Sequence, residues 1–127
     1  MRAILPAALA AVLGMFASLT AFAADDAGLL RVLAVQPTDV SAYVHEVEGL
    51  QALLKKTGNP ARIRVWKASF AGADTGAVVV SVEVANLAAL AKLEETIKTN
   101  PELAAQMKKI SGMREVVSDS LYDLISR

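Results

Sequence analysis

The run Ala77-Val-Val-Val-Ser-Val-Glu-Val84 constrains the fold of this chain more than any other segment. Val78, Val80, Val82 and Val84 recur at period two, so an extended backbone puts all four on one face. β-branched side chains suit a half-buried sheet, and the opposite face receives Ala77, Val79, Ser81 and Glu83. Such a strand needs a sheet to join and a cover over its valines.

The rest of the chain supplies both. Leu29 to Val35 is an apolar run of strand length, ended by Gln36-Pro37. Thr38 is placed to cap a helix in which Val40, Tyr43, Val44, Val47, Leu50 and Leu54 share one face, with Lys55-Lys56 suited to its C-terminal dipole. Gly58-Asn59-Pro60 reads as a turn. Arg62 to Phe70 alternates as a second strand, and Ala71 to Gly76 reads as a hairpin loop. After the valine strand, Asn86 caps a second helix with Leu90, Leu93 and Ile97 inward and a Glu94–Lys98 pair outward. Asn100-Pro101-Glu102 breaks and restarts that helix, giving a short one striped by Leu103, Met107 and Ile110. Ser111-Gly112 ends it, and Arg114 to about Leu124 is a last strand. The order is β-α-β-β-α-β, an α+β, ferredoxin-like split βαβ plan. It predicts a four-stranded antiparallel sheet with both helices on one face, the second broken near Asn100-Pro101.

That plan leaves the other sheet face without cover. Trp66, Ala68 and Phe70 fall on the side opposite Ile63 and Val65, so the uncovered face carries sizeable apolar groups. An exposed apolar face marks an interaction site, and the simplest partner is a second copy about a two-fold axis. The faces of the first and last strands stay open. Leu29 to Val35 is apolar in both parities, and Val117 and Leu121 compete with Ser118, Ser120 and Tyr122.

The split order, the Asn-Pro-Glu restart and the closing strand Arg114-Glu-Val-Val-Ser-Asp-Ser-Leu-Tyr122 resemble the dimeric α/β-barrel superfamily. Within it, the chain resembles the NIPSNAP-like and antibiotic-biosynthesis-monooxygenase-like families. The resemblance spans residues 24–127 and implies two sheets paired around an interior that holds a small molecule. Members include cofactor-free oxygenases, haem-degrading enzymes and domains without known activity, so a shared fold assigns no reaction.

The N-terminus gives a compartment. Arg2, an apolar run from Ile4 to about Phe16, and Ala21-Phe22-Ala23 match the three regions of a secretory signal peptide. Residues 1–23 are therefore expected to be removed after Ala23, leaving 24–127 as a single domain, periplasmic or secreted. An uncleaved anchor from Ile4 to Phe22 has nearly the required length of about 20 residues. Pro6, the many alanines and the small-residue site favour cleavage. The membrane is then met only through the signal peptide, before cleavage. The remaining 104 residues contain no cysteine, so no disulfide supports their thin core. Loss of Arg2 leaves 12 Lys and Arg against 13 Asp and Glu, a balance that argues against a nucleic-acid binder, which usually shows a strongly basic face.

Candidate chemistry is sparse. His45 is the one histidine, and helical spacing turns it away from the stripe of its helix. Without a second His or any Cys it completes no transition-metal site, so neither metal nor cofactor is expected. Arg62, Arg64, Trp66 and Phe70 share a strand face. They fit either a ligand lining, with a forked donor and a stacking ring, or a dimer interface, which composition favours. Glu83 is placed either to pair with Arg64 across strands or to act as a buried general base, and the pair is the simpler reading. Ser81, next to them, and Tyr122 complete the set of candidate ligand-binding residues: Arg64, Trp66, Phe70, Ser81, Glu83 and Tyr122. No nucleophile elbow, phosphate loop or dinucleotide fingerprint occurs. The expectation is a non-catalytic homodimeric module that binds a small hydrophobic or aromatic ligand or another partner. The alternatives are a cofactor-independent monooxygenase-like enzyme and a purely structural dimer.

Overall fold

The computed structural model describes residues 27–69 and 71–126. The expected signal peptide and Phe70 lie outside the described residues. Along the chain run β1 (Leu29–Pro37), α1 (Val40–Lys56), β2 (Arg62–Lys67), β3 (Val78–Val84), α2 (Leu87–Thr99), α3 (Pro101–Ser111) and β4 (Arg114–Asp123). A 3-10 turn at Gly72–Asp74 sits between β2 and β3. The strands form one sheet in the order β2-β3-β1-β4, with every neighbouring pair antiparallel. This is the ferredoxin-like plan that the alternating periods imply.

Local chemistry sets the helix ends. Asp39, not Thr38, caps α1, its side chain accepting from the Ala42 N–H at 3.0 Å. Both residue types cap well, and the helix begins one residue later than expected. Asn86 caps α2 through the Ala89 N–H. Asn100 ends α2 and starts α3, its Oδ1 accepting from the N–H groups of both Glu102 and Leu103. Pro101 then occupies the first helical position, where no N–H is needed. Glu94 reaches across to Arg31 on β1 rather than to Lys98 as its helical spacing suggested.

The helices cover one face of the sheet. Val78, Val80 and Val84 with Leu29, Val35 and Ile63 meet Tyr43, Leu54, Leu90, Leu103 and Ile110, all buried. Tyr43, Leu54 and Leu103 have no exposed surface. Val40 lies half-exposed, outside the stripe that the spacing assigned to it.

Register decides the two open strand faces. Pairing of Leu30 with Glu83 and of Val32 with Ser81 places Leu30, Val32 and Ala34 on the uncovered face, and Arg31 and Leu33 beneath the helices. Tyr122, Ser120 and Ser118 pair with Leu30, Val32 and Ala34, so they too line the uncovered face. The register then shifts, Val35 pairing with Val116, and Val117 is the extra residue of a bulge. β2 stops at Lys67, short of the expected Phe70, although Ala68 still exchanges backbone bonds with Gly76 and Ala77. At the other end of the sheet, Gly28 donates to Val84 at 3.1 Å and accepts from Leu124 at 2.9 Å. A Cβ on Gly28 would fall 2.5 Å from the Ala85 carbonyl oxygen, so this crossing admits glycine alone.

Candidate functional site

Three rows of side chains cross the uncovered face from β2 to β4. Trp66, Val79, Ala34 and Ser118 form one; Arg64, Ser81, Val32 and Ser120 the next; Arg62, Glu83, Leu30 and Tyr122 the third. Four of the six candidate residues, Arg64, Trp66, Ser81 and Glu83, thus meet in one cluster on β2 and β3. Tyr122 stands apart at the β4 edge, with Leu30 between it and Glu83. Phe70 is outside the described residues. The two central strands present Val79, Ser81, Glu83, Leu30, Val32 and Ala34, and the outer strands present Trp66 and Tyr122, each about half exposed. At one end of this face a hollow of about 690 Å³ opens between the β2–β3 connection and β1, lined by Ala34, Pro37, Ala68, Ala77, Val79 and Val117 among others.

Within the cluster, the polar groups satisfy one another. Arg64 Nε and Nη2 each donate to a different Glu83 oxygen at 2.8 Å, the forked geometry that a guanidinium makes with a carboxylate. The expected cross-strand pair is therefore present. The Arg64 guanidinium also lies 4.8 Å from the centre of the Trp66 ring. Trp66 Nε1 donates to Ser81 Oγ at 2.7 Å, and Ser81 is the buried polar residue of the face. Each Glu83 oxygen accepts one N–H of the fork, which holds the carboxylate against Arg64. What remains available is a ring face, a hydroxyl proton and apolar surface, which suits binding.

The covered side holds features that sequence reasoning missed. Arg114, at the start of β4, reaches under the helices, where its Nη1 donates to the hydroxyl of fully buried Tyr43. Its guanidinium lies 5.8 Å from the Tyr43 ring centre. Nearby, Arg31 donates through Nε and Nη2 to the two oxygens of Asp119 at 3.0 and 2.7 Å, and through Nη1 to Glu94 at 3.2 Å. The hydrogen bonds from Arg31, with its charge and that of Arg114, hold the Asp119 carboxyl below its ordinary range. The Asp119 partner raises Arg31 in turn. The pairing of Arg114 with Tyr43 joins residues 71 positions apart, and no local period reports such a contact. His45 is exposed on α1, as its spacing predicts.

No protein-family model matches the chain, and no curated protein does. Solved structures do. A dimeric protein of unknown function and ferredoxin-like fold from Bacteroides fragilis is 17% identical, with a TM-score of 0.48, over 76% of this chain and 95% of that one. The de novo designed protein Foldit4 is 14% identical, with a TM-score of 0.43, over 78% of this chain and 98% of its own. At these identities the likeness is one of fold.

Proposed function

We propose that this protein is an exported, non-catalytic binding module. Two copies pair through their uncovered sheet faces and hold a small hydrophobic or aromatic ligand between them. The observation that carries the reading is the cluster on β2 and β3, where an apolar face keeps its potential acid and base groups paired internally. Glu83 is the cross-strand partner of Arg64 in this reading, which accounts for its place on the face without a catalytic role. The apolar groups of the face, Leu30, Val32, Ala34 and Val79, favour a second copy as the occupant. A two-fold axis parallel to the strands lays β2 of one copy over β4 of the other. The arrangement is similar to that implied by the dimeric α/β-barrel resemblance. Export follows from the signal pattern of residues 1–23.

Light scattering at micromolar concentration tests the pairing. The wild-type protein is expected to run as a dimer, and Val79→Lys, which plants a charge in the middle of the face, as a monomer. A stable wild-type monomer overturns the reading. Native mass spectrometry of protein recovered from its own compartment is expected to give a dimer starting at Ala24 with an apolar small molecule retained. Retention of the first 23 residues counts against export by cleavage.

A further inference from the structure

The sheet ends on two unlike edges. β2, six residues long, is partly sealed by Gln51 of α1. The Gln51 side chain donates through Nε2 to the Ala61 carbonyl oxygen and accepts through Oε1 from the Ile63 N–H, so its amide stands in for a neighbouring strand. β4 is ten residues long and has no such plug among the described residues. In an antiparallel pair, residues that exchange bonds with the neighbour alternate with residues whose N–H and C=O point away. The Leu124 N–H donates to Gly28, which fixes the alternation: Ser118, Ser120 and Tyr122 bond toward β1, and Asp119, Leu121 and Asp123 turn their backbone groups outward. Among the described residues nothing bonds to those outward groups. The bulge at Val117 lies before this stretch and leaves residues 118–123 regular. Natural sheet edges are kept short, bulged, charged or covered, because an open one is a template for another strand.

Charge decides which strand the edge selects. Its charged groups lie on the helix side, where Asp119 and Asp123 flank Leu121 and Arg31 joins Asp119 to Glu94. Three carboxylates thus stand near one guanidinium, and Asp123 has no charged partner among the described residues. A second β4 fits poorly here. Laid antiparallel about Leu121, it sets Asp119 opposite Asp123; about Asp119, that carboxylate meets its own copy; about Ser120, each Asp119 meets an apolar Leu121. Like charges directly opposite destabilise a strand pair, whereas opposite charges contribute to it. We propose that the 118–123 edge of β4 takes up an extended basic segment of a partner protein as a fifth, antiparallel strand. On the helix side the segment presents a cation, an apolar residue and a second cation at alternate positions, to Asp123, Leu121 and Asp119. Its other side chains lie beside Ser120 and Tyr122, and the half-exposed Tyr122 ring suits an apolar residue. Main-chain bonds hold such a strand, and alternate side chains select it. The outward groups point along the sheet rather than out of its uncovered face. Pairing of the faces does not use them, so either proposal can fail alone.

Two end-blocked peptides, Thr-Lys-Val-Leu-Val-Lys-Thr and Thr-Glu-Val-Leu-Val-Glu-Thr, titrated into the isotope-labelled protein and followed by amide hydrogen exchange, test this. The lysine peptide is expected to slow exchange at Asp119, Leu121 and Asp123 saturably, while the outward Val65 amide on β2 keeps its rate. The glutamate peptide should protect none of them. Asp123→Lys should weaken the lysine peptide about five-fold. Leu121→Pro removes an outward N–H that the fold does not use and should abolish the protection. If that variant does not fold, the lysine peptide N-methylated at its leucine decides the matter, because its blocked N–H is the one that faces β4. The proposal is overturned if the lysine peptide protects none of the three amides, or if the glutamate or N-methylated peptide binds as tightly. It is equally overturned if Asp123→Lys or a folded Leu121→Pro leaves binding unchanged. Protection that rises with protein concentration in the absence of peptide overturns it too, and assigns the edge to a second copy.

Discussion

The two faces of the sheet alternate within β3, residue by residue, and they are held by different forces. Val78, Val80 and Val84 are closed off by helices and contribute through packing. Val79 and Glu83, one residue away on each side, stay partly exposed. The uncovered face is organised by directional pairs, Arg64 with Glu83 and Trp66 with Ser81. Packing is costly to interrupt, whereas polar pairs at a surface contribute little net stability. The same strand therefore separates a face that sustains the fold from a face able to change partners.

The largest effect should come from the packed side. Leu103→Ala removes a side chain with no exposed surface and is expected to cost about 2–5 kcal/mol, read from urea denaturation. Trp66→Ala, a larger truncation on the uncovered face, should cost the isolated chain less than half of that. Equal losses would erase the distinction between the faces. Next is the cap that turns the cover from α2 into α3. Asn100→Ala leaves two N–H groups without their acceptor and should cost about 1 kcal/mol, with the loss showing first as fraying of α3 in hydrogen exchange.

The smallest effect should come from the Arg31–Asp119 pair. Asp119→Asn is expected to cost less than about 1 kcal/mol at neutral pH, since Asp119 is largely exposed and solvent screens the pair. The carboxyl is held below its ordinary range by Arg31, so its contribution is full above about pH 4, near the unfolded value. It is lost as pH falls through the lower folded value. Denaturation curves of wild type and Asp119→Asn should thus converge on acidification. A gap that persists at the acid end would assign the loss to something other than the ionised pair.

Much of this was legible from local pattern. The valine set of β3, the Asn86 and Asn100 caps, Pro101 and the facing of Trp66 all follow from periods of 2 and 3.6 and from capping chemistry. β1 could not be faced, because Leu29 to Val35 is apolar in both parities. β4 resisted for another reason: the extra residue at Val117 reverses its alternation, so Val116 and Ser118, two apart, lie on opposite faces. The Arg64–Glu83 pair was visible because paired strands put them on one face as diagonal neighbours, within reach of long side chains. The contact of Arg114 with Tyr43 was not, since 71 positions separate the two and only the assembled fold brings them together.

The crossing at Gly28 has a consequence for how the chain is ordered. Its hydrogen bond with Leu124 places the entry and exit of the described fold side by side, one backbone contact apart. The path of the chain is therefore nearly a closed circuit. A circular permutant that joins these ends through a short linker and opens instead in the exposed connection at Ala71–Gly76 should keep the same strand order.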